Sequence, residues 1–318
     1  MNVARLRVVL RFAAAAVALV AVVLALRSLA RTWHEATAQA VAWSPRPGWI
    51  LLAVVSAAGV YGILIEAWRR VLGGYGESLA PLQAARIWIL SSFGKYLPGK
   101  LWIVAGMAVL AQRAGISASS AVAAAIIMQM LNLASGVAVG AALLPGALSG
   151  AGTAYVWGAA VVGGISTAAV FLLGSGKSLA LLQRWLPDGA PRLAPATPGA
   201  LLAGFVANVA AWTGYGLSMV FLSRGLFAGA TLSVADAVGA FAVSYLVGLL
   251  ALLVPGGLVV REALFAALLA PSLGVRVALA LAVASRLMLT VIDLTLAALC
   301  AAGPGRAAPV VPSSFREP

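Results

Sequence analysis

Apolar residues along this chain do not alternate with polar ones; they run in long blocks separated by short polar stretches. Blocks at about 8–30, 48–68, 117–145, 152–174, 198–222 and 276–301 reach the roughly 20 residues a helix needs to cross about 30 Å of hydrocarbon. Each predicts a full transmembrane helix, because a backbone in lipid must satisfy its own donors and acceptors internally. Arg5, Arg7 and a faint cleavage site at Ser28-Leu29-Ala30 give the first block some character of a signal peptide. The many apolar blocks that follow favour an uncleaved first span.

Two further apolar stretches are interrupted. Residues 79–112 break at Leu97-Pro98-Gly99, and residues 234–270 break at Val254-Pro255-Gly256-Gly257. Proline removes a backbone donor and disfavours helix at the residue before it. Both stretches read as helix–break–helix hairpins. A proline kink or an ordinary loop between two full spans is the plainer alternative, but charges placed at the breaks favour re-entrant hairpins meeting inside the bilayer.

The hairpins resemble each other. A cap-like serine (Ser78, Ser233) precedes each, and a full span follows each. Pro98 to Gln129 covers the same distance as Pro255 to Arg286. Three predicted spans lie between the hairpins, so they would enter from opposite faces, as in the inverted repeats of many secondary transporters. The expected fold is an all-α polytopic membrane protein with about six full transmembrane helices plus two re-entrant hairpins. It forms a single domain over 1–303, with repeat A at about 79–145, repeat B at about 234–301, and a short disordered tail at 304–318.

Composition agrees: 63% of the 318 residues are hydrophobic and only 9% charged, against about a quarter charged in soluble domains. The net charge of +13 does not indicate nucleic acid, because no basic run or aromatic-interleaved basic patch carries it. The basic residues sit between apolar blocks, where they set topology. With the N-terminus inside, Arg5, Arg7, Arg11, Arg69, Arg70, Arg113, Lys177, Arg184, Arg192, Arg306 and Arg316 are cytoplasmic. Only Arg27, Arg31, Arg46, Arg224 and Arg276 fall outside, so both termini are expected in the cytoplasm. Trp33, Trp43, Trp49 and Trp68 lie near span ends, as an interfacial belt requires. A single cysteine, Cys300, excludes an internal disulfide, and a single histidine, His34, excludes a histidine metal site or relay. No metal or cofactor is expected.

Candidate chemistry concentrates at the breaks. Lys95 and Lys100 flank the first one within Phe93-Gly94-Lys95-Tyr96-Leu97-Pro98-Gly99-Lys100-Leu101-Trp102. A charge at mid-bilayer costs on the order of 3 kcal/mol, so the lysines need an anion or water, or they snorkel to the interface. Free N–H groups opening a half-helix suit phosphate. At the second break, Arg261 can fork onto phosphate or carboxylate, and Glu262 points about 100° away around the helix; an internal ion pair between hairpins is the alternative. Arg286 and Asp293 share a face of the last span, as a structural seam or an extension of the cavity. Arg86 lines a cavity or snorkels. Glu66 with Arg69 and Arg70 reads as a local ion pair, and Ser233 with Asp236 as a capping box. No nucleophile elbow, P-loop, Rossmann pattern or paired acidic motif supports an enzyme.

The segment from Phe93 to Trp102 resembles the first signature of the flippase-like membrane domain of lysylphosphatidylglycerol synthases. Pro255-Gly256-Gly257-Leu258-Val259-Val260-Arg261-Glu262 is similar to its second signature, Pro-Gly-Gly followed by Gly-Val-Arg-Glu, and Arg286 matches a downstream arginine. Leu258 replaces the usual glycine, and Gln129 stands where many relatives carry an acidic residue. The soluble aminoacyl-transferring domain is missing, so synthesis of lysylphosphatidylglycerol is not expected. The resemblance implies movement of an anionic phosphate-bearing lipid, either an aminoacylated phospholipid or a polyprenyl-phosphate-linked sugar, across the cytoplasmic membrane. Lys95, Tyr96, Pro98, Gly99, Lys100, Pro255, Gly256, Gly257, Arg261, Glu262 and Arg286 would meet the head group, with Glu262 or Asp293 available for coupling. A membrane-embedded glycosyl- or aminoacyl-transferase, or a scaffold subunit for a lipid-modifying enzyme, is the alternative.

Overall fold

The structure is a computed structural model that describes residues 42–96, 101–143, 197–250 and 259–302, together with isolated helical positions 161, 164 and 168. The predicted first span and most of 152–174 lie outside the described residues, as do both Pro-Gly breaks and the tail. The described residues form helices α1 (Pro47–Gly73), α2 (Pro81–Ser92), α3 (Leu101–Arg113), α4 (Ala118–Leu143), α5 (Pro198–Leu226), α6 (Val234–Leu250), α7 (Val260–Leu273) and α8 (Val275–Ala302), with a 3₁₀ turn at Phe93–Tyr96.

Helix length divides them into two kinds. α1, α4, α5 and α8 have 26 to 29 residues and are apolar enough to cross a membrane. At 1.5 Å per residue each is about 40 Å long. α2, α3, α6 and α7 have 12, 13, 17 and 14 residues, or about 18–26 Å, less than the hydrocarbon thickness. The chain is thus an all-helical, multi-pass membrane protein whose described residues include four helices long and apolar enough to span and four shorter ones.

The short helices pair. A Cβ on Gly94 would lie 2.5 Å from the backbone nitrogen of Ile103, and one on Gly106 would lie 3.5 Å from Ser91. Positions rise along α2 as they fall along α3, so the two halves fold back against each other. In the second hairpin, the rings of Phe241 on α6 and Phe265 on α7 meet edge to face at 6.2 Å.

The repeat extends further than the hairpins. α1 and α5 each open with Pro-Gly, Pro47-Gly48 and Pro198-Gly199. Seven residues then lead to the short helix in both cases, 74–80 and 227–233. The third residue of each linker is a glycine at positive φ, Gly76 at 80° and Gly229 at 73°. A second such pair, Gly115 at 82° and Gly274 at 76°, turns α3 into α4 and α7 into α8. This left-handed region is reached by glycine at no steric cost. Exchanging α1–α4 with α5–α8 leaves the set of extensively packed helix pairs unchanged. Among the described residues, the helices therefore form two copies of one four-helix unit.

The copies run in opposite directions. Gly225 near the end of α5 faces Ile50 at the start of α1, Gly214 faces Val60, and Gly74 beyond the end of α1 faces Ala200 at the start of α5. Ser56 Oγ donates to Gly214 O at 2.9 Å and Ser218 Oγ to Ala53 O at 2.8 Å, fixing this antiparallel pair at the centre of the molecule.

Three local expectations change. Ser78 does not cap α2: Pro81 occupies its first turn, Ala80 is the extended N-cap residue, and no side chain caps it. Trp68 is not in a lipid-facing belt; it is fully buried, its ring 6.1 Å from Trp88 on α2. Glu262 does contact its neighbour Arg261, at 3.7 Å. The other local pairs form: Asp236 N–H donates to Ser233 Oγ at 3.0 Å and Ser233 Oγ to Asp236 Oδ2 at 2.8 Å. Glu66 accepts from Arg69 Nε at 2.7 Å and Arg70 Nε at 2.9 Å.

Candidate functional site

The described charged side chains predicted to carry chemistry come from α7, α8 and the 3₁₀ turn. Arg261 and Glu262 are the second and third residues of α7. Val259 just before them takes φ 69° and ψ −47°, a conformation unfavourable for a β-branched residue. Backbone strain of this kind persists where surrounding structure imposes it and concentrates at functional sites. Both charged residues are buried, Arg261 at 5% and Glu262 at 7% exposure.

Glu262 Oε1 lies 3.7 Å from Arg261 Nη1 and 3.8 Å from Arg286 Nε on α8. These separations attract charge but exceed hydrogen-bond length, so both Glu262 oxygens and Arg261 Nε remain buried without a hydrogen-bond partner. Buried polar groups are ordinarily satisfied, and an unsatisfied one costs about 1–3 kcal/mol. The Arg261 guanidinium also lies 4.9 Å over the Phe241 ring, a cation–π placement. Phe241 in turn stacks on Tyr215 of α5 at 4.9 Å.

A second charged contact stands seven residues along α8. Asp293 accepts from Tyr61 on α1 through Oδ1 and from Lys95 through Oδ2, both at 2.5 Å. Seven residues is about two turns, or roughly 10 Å, so Arg286 and Asp293 share a face. Lys95 lies in the electrostatic reach of Arg261 and Arg286. The Tyr245 hydroxyl is in reach of Arg261, Arg286 and Asp293. The two contacts meet one face of α8 about two turns apart and together hold three cations and two carboxylates. The ion pairs here are Arg261–Glu262 within α7, Glu262–Arg286 between α7 and α8, and Lys95–Asp293 between the 3₁₀ turn and α8.

Sequence reasoning missed Tyr61, Tyr215, Phe241 and Tyr245. Each lies in an apolar helix and resembles ordinary core; only a phenol within an otherwise hydrocarbon span was available as a signal. Arg86 on α2 is half-buried.

The family model described as the lysylphosphatidylglycerol synthase TM region matches residues 8–297. The chain belongs to the lysylphosphatidylglycerol synthase transmembrane-region family. No curated protein matches the chain significantly. Membership places it with membrane proteins of lipid-related function. Of the residues resembling the family's signatures, Lys95, Arg261, Glu262 and Arg286 come together as described. Tyr96 ends the 3₁₀ turn. Pro98, Gly99, Lys100, Pro255, Gly256 and Gly257 lie outside the described residues. Gln129 is exposed on α4.

Proposed function

We propose that this chain moves an anionic, phosphate-bearing lipid across the cytoplasmic membrane, as a transporter and not as a transferase. The observation that carries this reading is the buried Arg261–Glu262–Arg286 cluster at the start of a helix too short to span, with Arg261 Nε and both carboxylate oxygens lacking a hydrogen bond. Arg261 and Arg286 present planar forks that match phosphate, and Lys95 adds a point charge nearby. Glu262 keeps these cations from carrying an uncompensated charge when no head group is bound. An aminoacylated phospholipid and a polyprenyl-phosphate-linked sugar share the chemistry that such a site reads. The acyl or prenyl tail stays in the bilayer while the head group uses the polar interior. The two oppositely directed repeats provide elements that rock against each other. On the distribution of arginine and lysine, both termini face the cytoplasm.

Reconstitution into liposomes tests this reading. A fluorescent phosphatidylglycerol in the inner leaflet should become accessible to an impermeant quencher at a rate proportional to protein, and Arg261→Ala should remove the effect while the protein remains inserted. Unchanged flipping in that variant would sink the assignment.

A further inference from the structure

The two repeats create two equivalent seams. In each, the long fourth helix of one repeat packs against the first and second helices of the other: α4 against α5 and α6, and α8 against α1 and α2. The nineteenth residue of α4 is Gly136 and the nineteenth of α8 is Asp293. The fifteenth residue of α5 is Trp212 and the fifteenth of α1 is Tyr61. In both seams these matched positions meet.

What fills them differs. At Gly136 the absent side chain admits the Trp212 ring and Leu246, which a Cβ would approach to 2.8 and 3.1 Å. Gly140, one turn on, similarly admits Val243. Trp212 Nε1 donates to Ser135 Oγ at 3.0 Å, so its one polar atom is satisfied. Asn132 Nδ2 also donates to Asn208 Oδ1 across it at 3.2 Å, so among the described residues this seam is close-packed and its cross-seam hydrogen bonds are between uncharged groups. In the other, Asp293 meets the Tyr61 hydroxyl and Lys95 Nζ, and the Lys95 side chain keeps a third of its exposure while Asp293 is buried.

Resting on the transport reading above, we propose that the α8–α2 seam is the lateral portal for the lipid head group. Lys95–Asp293 is its latch, and a phosphate opens it by replacing Asp293 as the partner of Lys95. The α4–α6 seam stays shut. The argument is one of exchange. Breaking a buried ion pair by removing one partner strands a charge, which disfavours spontaneous opening. A phosphate brings its own negative charge to Lys95, so the lysine never stands alone. Tyr61 continues to donate to Asp293 meanwhile. A neutral head group offers no such substitution and leaves the latch closed. The packed seam has no charge to exchange, and opening it would expose Trp212 and Leu246 with nothing in return.

Distance measurements between spin labels placed away from the latch test this. In a Cys300→Ser background, labels at Leu82→Cys on α2 and Leu299→Cys on α8 report the proposed portal; both positions are exposed. Labels at Ile126→Cys on α4 and Val247→Cys on α6, also exposed, report the sealed seam. Asp293→Asn is expected to lengthen the first distance on the order of 5 Å, the scale of one-turn displacements, and to leave the second unchanged. Lys95→Gln breaks the same pair from the other side and serves if Asp293→Asn does not fold. Unsubstituted at both latch positions, the protein should show the longer distance in phosphatidylglycerol nanodiscs and the shorter one in nanodiscs of a phosphate-free galactolipid. No shift at Leu82–Leu299 in either latch variant, or a shift at Ile126–Val247 instead, overturns the portal. A shift in the variants with no difference between lipids keeps the portal and removes phosphate as the trigger, which is the failure of the transport reading itself.

Discussion

Lys95 Nζ lies 2.5 Å from Asp293 Oδ2, 198 residues further along the chain. The contact joins the end of the first short hairpin helix to the last long helix, and Tyr61 on α1 completes it. Because Asp293 is buried, stranding it should be the costlier half of breaking the pair. Lys95→Met alone is expected to destabilise by about 3 kcal/mol, the low end for a buried pair because the lysine is partly exposed. Lys95→Met with Asp293→Asn should lose less than the sum of the single changes, with a coupling of about 1–3 kcal/mol. Chemical unfolding in detergent of all four proteins measures this cycle, and strictly additive losses would remove the interaction.

Arg261→Lys retains the charge but loses the planar fork and the placement over Phe241. Binding of phosphatidylglycerol should fall on the order of tenfold, which corresponds to about 1.4 kcal/mol. Native mass spectrometry of retained lipid reads this directly, and equal retention would mean that charge alone suffices.

The tight glycines make a prediction with an internal control. A Cβ at Gly216 would come within 2.7 Å of the Val238 backbone, whereas one at Gly62 meets nothing within 4 Å. Gly216→Ala should destabilise by about 1–3 kcal/mol through overpacking. Gly62→Ala should be neutral or stabilise by up to about 1 kcal/mol, because glycine in a helix interior is unfavourable. Melting temperatures that move together in the two variants would contradict the close approach of α5 and α6.

Ser135→Ala leaves the buried indole N–H of Trp212 without its acceptor. A loss of about 1–3 kcal/mol is expected, and Trp212→Phe in the same background should recover part of it. Thermal unfolding of the single and double variants checks the order.

Much of this was legible in the chain. Block length alone gave α1, α4, α5 and α8 to within a few residues, because a membrane imposes length on a helix. The interrupted stretches 79–112 and 234–270 correspond to the shorter helices α2, α3, α6 and α7, while the breaks themselves lie outside the described residues. Arg261, Glu262 and Arg286 stood out because charge in an apolar block is costly. The full repeat did not stand out: α1 and α5 read as ordinary spans, and only the geometry of Gly76 and Gly229 ties them into it. Nor was the partner of Lys95 legible, since Asp293 and Tyr61 reach it through packing between distant segments. Ser78 misled because a serine is only one route into a helix, and Pro81 provided another.

The matched skeleton carries unmatched charge. The second and third residues of α7 are Arg261 and Glu262, while those of α3 are Trp102 and Ile103; Arg286 on α8 occupies the position that Gln129 holds on α4. Two identical inverted halves would make the inward- and outward-facing forms mirror states of equal energy, populated equally. If the chain transports as proposed above, the substitutions lift that degeneracy and make one form the resting state of the empty protein. The energy difference between them is written into a handful of side chains on one repeat, and can be tuned there without touching the frame.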